Sequence, residues 1–196
     1  LITKGADVNA KDKHGRTPLH KVRTKAIAEV LINNGANVNE KDEYGLTPLD
    51  EVEHDLANYE EEKQRTKSKS SLRGLNRGIT ESNGIMKFLR QNGGKYGSLH
   101  SAAKFGDIEA VKEFLANKAD LNAKKQLHKH EGTPLHYAIL HGQTEIGELL
   151  IEKGADLNVV NNDGEAPLHL VVRKHNKEVV ELIIIIGGWK YKPELL

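Results

Sequence analysis

Cysteine is absent from this 196-residue chain, which excludes a disulfide framework and any thiolate metal site and leaves stability to packing alone. No sign of charge dominates. The 29 Lys and Arg residues face 28 Asp and Glu, and a net charge of +1 gives no general attraction to nucleic acid or to an anionic membrane. Long apolar runs are lacking too: the longest, Leu182–Ile186, is five residues, far below the roughly 18 that suggest a membrane span. A signal-peptide pattern is missing, and the chain opens with Leu in mid-repeat, so a soluble, intracellular piece of a longer protein is expected. Nor can catalytic parts be assembled. There is no nucleophile with a placed base and no carboxylate pair set in a motif, and "GKYGS" at 94–98 lacks the spacing of a phosphate-binding loop. The expectation is a chain that is not an enzyme and needs no cofactor.

What the sequence does contain is repetition. "GRTPLHKV" at 15–22 returns as "GLTPLDEV" at 45–52, "GTPLHYAI" at 132–139 and "EAPLHLVV" at 165–172. A second string, "LITKGADVNAKD" at 1, returns as "LINNGANVNEKD" at 31, "FLANKADLNAKK" at 114 and "LIEKGADLNVVN" at 150. Recurrence on this scale marks one supersecondary unit used several times.

Together the two strings resemble the ankyrin repeat, over nearly the whole chain outside residues 55–82. The resemblance implies an all-α solenoid of stacked helix pairs with β-hairpin-like fingers, used to hold partner proteins on a concave surface of fingers and first helices. The recurring residues support it physically. Thr17, Thr47 and Thr133 stand where a side-chain oxygen can cap a helix, and the Pro that follows suits the first helical position. Leu19, Leu49, Leu99, Leu135 and Leu168 are placed to point between helices, and "EIGELLI" at 145–151 carries the apolar spacing of a second helix. Gly5, Gly35, Gly93, Gly154 and Gly187 follow second helices, where a left-handed residue ends the helix. Lys118 takes that place in one copy and should carry about 1 kcal/mol of strain. His20, His100, His136 and His169 share one repeat position and are read as structural hydrogen-bonding groups. Asp50 replaces that histidine in one copy.

Departures from the period give the chain its individuality. From Ala6 through Ala36, Gly94, Ala119 and Ala155 to Gly188 the intervals are 30, 58, 25, 36 and 33. The first is short because three residues are missing between His20 and Ile27, which predicts a shortened first helix. The fourth reflects a longer finger around "NAKKQLHKHEGTP". The 58 contains an insertion. Val52, Leu56 and Tyr59 keep helical spacing, so the first helix is expected to run on past its usual end, followed by an irregular, mobile loop. These breaks divide the chain into a first block, 1–94 (partial repeat 1–11, repeats 12–41 and 42–94 with an inserted loop at about 55–82). A second block, 95–196, holds repeats 95–124, 125–160 and 161–188 and a tail 189–196.

Function is therefore sought in surfaces. The candidate partner contacts are Arg16, Tyr44 and Leu46 on fingers, His128 and His130 on the long finger, and Lys104, Phe105, Leu140, His141, Arg173 and Lys174 on first helices. His128, His130 and His141 could be imagined around a metal, but no fourth ligand has zinc-like spacing, and a contact finger is the preferred reading. Two alternatives stand beside this. The basic stretch 63–77, with Lys63, Arg65, Lys67, Lys69, Arg73 and Arg77 and no acid, could meet nucleic acid or acidic lipid, although no aromatic is interleaved for base stacking and nucleic acid is the weaker option. The chain could also be the targeting or substrate-recognition part of a larger enzyme or effector. A monomer without membrane insertion is expected. At the end, Ile185 and Ile186 should be covered by a fold-back of Trp189, Tyr191, Leu195 and Leu196, or else drive self-association.

Overall fold

The computed structural model describes residues 5–127, 130–173 and 184. The chain forms two compact units, Leu1–Gly97 and Ser98–Leu196. In the first, Pro18–Lys21 makes a single 3-10 turn, followed by α1 (Lys25–Asn33), α2 (Pro48–Arg65) and α3 (Lys69–Gln91). In the second, α4 (Leu99–Phe105) and α5 (Ile108–Ala116) precede a short hairpin of β1 (Lys125–Leu127) and β2 (His130–Gly132). Helices α6 (Pro134–Leu140), α7 (Thr144–Glu152) and α8 (Pro167–Arg173) follow. The strands pair antiparallel with Gln126 opposite Glu131.

The recurring residues mark helix starts and ends. Thr17, Thr47 and Thr133 are N-caps in extended conformation, each followed by Pro at the first helical position. The missing corner residues leave the first of these starts with four residues of 3-10 turn instead of a helix. Gly5, Gly35, Gly93 and Gly154 have φ between 80° and 93°, and Lys118 takes the same left-handed region at φ 58°. Gly187 lies outside the described residues. Leu19, Leu49, Leu99 and Leu135 are buried between helices, with Leu89, Leu150 and Leu170 beside them. Each contributes about 1.5–3 kcal/mol by leaving water. Leu168 does not join them: it is 37% exposed on α8, where nothing among the described residues covers it.

Two of the histidines join neighbouring repeats. His20 Nδ1 accepts from the Thr17 amide at 3.1 Å, so its proton sits on Nε2, which donates to the Leu46 carbonyl at 3.2 Å. His136 repeats the pattern with Thr133 at 3.2 Å and Glu165 at 3.1 Å. His100 donates to Ala123 at 2.7 Å, and His169 accepts from Ala166 at 3.1 Å. In His20 and His136 both nitrogens of the buried ring are thereby used, as burial demands, while His169 is exposed. Asp50 inverts the polarity of this link. Its Oδ2 accepts from the Thr47 amide at 2.7 Å and from the Gly97 amide at 2.9 Å, so the next segment offers a donor where the histidine copies meet an acceptor. Gly97 must be glycine for that approach, since a Cβ there would stand 2.0 Å from the Gly45 carbonyl oxygen.

The insertion corrects the sequence reading. The expected loop at about 55–82 is instead a helical arm: α2 and α3 have 18 and 23 residues, where the first helix α6 has 7 and the second helix α7 has 9. At 1.5 Å per residue the pair runs roughly 15–20 Å beyond the others. The physical reason is a stripe that Ser, Gly and Lys obscure in the sequence. Leu72, Leu75, Ile79, Ser82, Ile85 and Leu89 recur at intervals of three or four, and Leu75, Ser82, Ile85 and Leu89 are buried. Gly78 lets α3 close on α2, because a Cβ there would lie 2.9 Å from the Tyr59 ring. The extension of the first helix indicated by Val52, Leu56 and Tyr59 is present, through Arg65.

Two outcomes follow from this packing. Hydrogen exchange at Leu75–Leu89 should be as slow as in α7, and Ile85→Ala should cost about 2–4 kcal/mol in a denaturant titration; exchange at the rate of an open loop would contradict the arm. Asp50→His, which restores the residue of the other repeats, should destabilise the first unit by about 1–3 kcal/mol, because either tautomer sets an N–H against the Thr47 or the Gly97 amide. A variant as stable as the parent would refute the inverted link.

Candidate partner-binding surface

The fingers of the two units are held by one recurring bond set. Asp12 Oδ1 accepts from the amides of His14 and Arg16 at 2.8 and 3.0 Å, and Asp42 Oδ1 from those of Tyr44 and Leu46 at 2.9 and 2.8 Å. Asn161 Oδ1 does the same for Asp163 and Glu165, at 2.9 and 2.8 Å. Each turn tip is a short loop whose own acid or amide fixes it. Below the tips an asparagine ladder joins successive turns. Asn9 bridges the Gly35 carbonyl at 3.0 Å and the Asn37 amide at 2.8 Å, while Asn39 bridges Gly93 at 2.9 Å and Lys95 at 2.7 Å. Asn122 bonds the Asp156 amide at 2.8 Å in the second unit. The ladder was legible only as the repeated "GADVN" string, whose spacing gave no sign that its last residue reaches the next repeat.

In the first unit two adjacent fingers come together. The Glu43 amide donates to the His14 carbonyl at 3.1 Å, and His14 Nδ1 meets Glu43 Oε1 at 2.7 Å. Tyr44 stands on this frame with 56% of its surface exposed, its phenol raised above the ordinary range by the Glu43 carboxylate. Arg16 is half-buried with its Nε 3.4 Å from Asp12 Oδ2. Leu46 corrects the sequence reading: it is buried, because its backbone serves Asp42 and His20 and its side chain turns into the core beneath the finger.

In the second unit the ends of α4 and α6 occupy equivalent places four and five residues after their histidines. Lys104 corrects the sequence reading: it is buried, with its Nζ 4.8 Å from the centre of the Phe105 ring, while Phe105 and Leu140 are half-buried. His141 is exposed, and its amide closes α6 by bonding the Tyr137 carbonyl at 3.1 Å. The Gln143 side chain donates to the Lys104 carbonyl at 3.3 Å and so ties the two corners together. Arg173 at the end of α8 pairs with Glu165 of the finger before it at 2.8 Å. Lys174 and His128 lie outside the described residues, as does the C-terminal segment from Ile185 onward. His130 opens β2. Sequence reasoning missed Val172, next to Arg173 and 57% exposed, because a valine at helical spacing reads as core.

The basic stretch is divided by the arm. Lys63 and Arg65 end α2, Lys67 sits in the link, and Lys69, Arg73 and Arg77 lie on α3. Arg65 is paired with Glu61 at 2.5 Å. Among the described residues no group of three metal-ligating side chains converges, and no helix is long and apolar enough to cross a membrane.

Titration follows burial. Burial pushes His100 down to about 4, and also lowers His20 and His136. On α2, burial raises Glu51, Glu53 and Asp55. Arg90 and Tyr96 offset the effect at Glu53, with Arg90 Nη2 2.9 Å from Glu53 Oε1 and the Tyr96 hydroxyl bonded to the same oxygen.

Family comparison supplies the wider context. Residues 99–190 match a model of three ankyrin repeats, and residues 14–43 match a single ankyrin repeat. A Rickettsia bellii (strain RML369-C) protein named for its ankyrin repeats is 36% identical over 94 residues, covering 45% of this chain and 54% of its own. Human protein phosphatase 1 regulatory subunit 27 is 36% identical over 85 residues, covering 43% and 53% respectively. The chain thus spans about half the length of these two relatives. The crystal structure of the human ASB11 ankyrin repeat domain superposes with a TM-score of 0.54 at 25% identity, over 95% of this chain and 76% of that one.

A pH dependence follows for the second unit. Between the folded value of His100, about 4, and its ordinary 6.5 the folded chain keeps this ring neutral while the unfolded chain protonates it, so stability is lost as pH falls through that window. His136 acts in the same direction. From about pH 7 to about pH 5 the opening free energy of α4 and α6, measured by hydrogen exchange, should drop by roughly 2 kcal/mol. Unchanged protection would contradict the neutral, buried ring. In the first unit the raised carboxylates of α2 oppose His20, and a smaller change is expected there.

Proposed function

The chain belongs to the ankyrin repeat family, and on that premise we propose that it binds a partner protein through its fingers and the ends of its first helices. The ankyrin repeat is a non-catalytic module that generally mediates protein–protein interaction. The observation that carries the reading to this chain is a division of labour within each repeat. The recurring Thr, His, Asp and Asn side chains are spent on internal bonds, whereas the residues that differ from copy to copy stand on the rigid frame they create. Tyr44 is the clearest case, a mostly exposed aromatic on a turn that Asp42 locks at two amides. A rigid aromatic loses little entropy on contact and is a frequent binding anchor. Phe105 and Leu140 offer apolar surface in the second unit, with the exposed His141 next to Leu140 and the exposed Arg173 at the end of α8. Arg16 flanks Tyr44 in the first.

The similarity to a protein named as a regulatory subunit supports the further reading that such a surface serves as the recognition part of a larger assembly. Alanine substitution tests the surface unit by unit. A partner captured by the chain should bind at least about tenfold more weakly to Tyr44→Ala if it uses the first unit, or to Phe105→Ala with Leu140→Ala if it uses the second. Partners retained at full affinity by the triple variant would overturn the reading.

A further inference from the structure

We propose that the arm built by α2 and α3 is a second docking surface, for an acidic segment of a partner protein. Its carboxylates would pair with Lys69, Arg73 and Arg77 while an apolar side chain enters the cleft beside Arg77. The surface is separate from the fingers, and either could exist without the other.

The cleft has a volume of about 310 Å³ and lies between the 3-10 corner and the arm, with Val22, Val52, Tyr59 and Ile85 among the apolar groups of its lining and the exposed Arg77 and half-buried Glu81 from α3. It exists because two departures from the repeat coincide. Three residues are missing from the corner between His20 and Ile27, and the inserted arm stands against the gap. Gly74 lines it too, and a Cβ there would meet nothing within 4 Å, so this wall is open for want of a side chain. Glycine within a helix sacrifices about 1 kcal/mol relative to alanine, and here the space it leaves faces the cleft.

The lining of the cleft balances Arg23 and Arg77 against Asp55 and Glu81, and the excess of positive charge lies next to it on α3. Lys69, Arg73 and Arg77 are four residues apart on α3 and form a row with steps of about 6 Å. All three are exposed, and none has an ion-pair partner among the described residues. The other cations do not extend the row into a general anion surface. Arg65 is held by Glu61, Arg23 is held by Asp55, and Glu60, Glu61 and Glu62 precede the link on α2. Glu81 continues the Lys69–Arg73–Arg77 spacing and ends the row with a carboxylate. A nucleic-acid backbone or an anionic bilayer would have to lie against these acids as well, and a flat bilayer leaves the cleft empty. A protein segment with three carboxylates and one flanking apolar group satisfies the row and the cavity together.

The probe for the test is a labelled helical peptide with glutamates at three positions spaced four residues apart and a flanking phenylalanine, compared with the same peptide carrying glutamines. The glutamate peptide should bind the whole chain, with affinity falling as salt is raised. Arg73→Glu with Arg77→Glu should weaken binding about tenfold or more. Gly74→Leu, which strengthens the helix while filling the cleft, should weaken it by a similar factor without lowering the melting temperature. Equal binding of the glutamine peptide, or indifference to both variants, would overturn the proposal. So would a single-stranded oligonucleotide or phosphatidylserine vesicles binding through the same row more tightly than the peptide, which would make the arm a phosphate surface.

Discussion

A neutral imidazole with both nitrogens engaged is the interaction on which each unit depends. His20 and His136 accept from the amide at the start of their own helix and donate to a carbonyl of the following repeat, so one ring sets both the helix start and the distance to its neighbour. The bond is strong because it is dry, and it is binding in the strict sense that a buried ring with one idle nitrogen would cost about 1–3 kcal/mol. Everything else in the repeat is arranged around that spacing. The Asn ladder holds the fingers in the register that the rings impose, and the finger turns are closed by their own Asp or Asn. Where the ring is replaced, at Asp50, the next segment answers with an N–H and with a glycine that permits the approach.

How much of this the sequence disclosed depends on which residues repeat. The caps, the left-handed glycines and the linking role of His20 and His136 were readable because each recurs at one position with one chemistry, and Lys118 because it stands where the others have glycine. The truncated first helix was readable from three missing residues. The arm was not, since Gly74, Gly78, Gly84 and a scatter of Lys, Arg and Ser dilute the apolar stripe of α3 below the level at which composition suggests burial. Only the distance between Leu72, Leu75, Ile79 and Ile85 betrays it. Leu46 was misread for a related reason. It stands one residue before the capping threonine, where the other copies carry Arg16, Gly132 and Glu165, and such variation suggests exposure, whereas this side chain is buried.

The two candidate surfaces follow from opposite features of the same architecture. At the fingers and helix ends, regularity creates rigid positions whose side chains are free to differ, and Tyr44, Phe105 and Leu140 use that freedom. At the arm, irregularity creates a cavity and a basic row that has no ion-pair partner among the described residues. An interaction module of this family thereby gains individuality in two ways, by varying residues on a fixed frame and by interrupting the frame.

The most direct test of this account is the protonation state of the repeat histidines, read from their ring nitrogens by NMR at neutral pH. The Nε2–H tautomer is expected for His20 and His136, with an unprotonated Nδ1 and an Nε2 proton shifted by its carbonyl partner. A ring protonated at Nδ1, or one exchanging freely between tautomers, would contradict the claim that these residues join one repeat to the next.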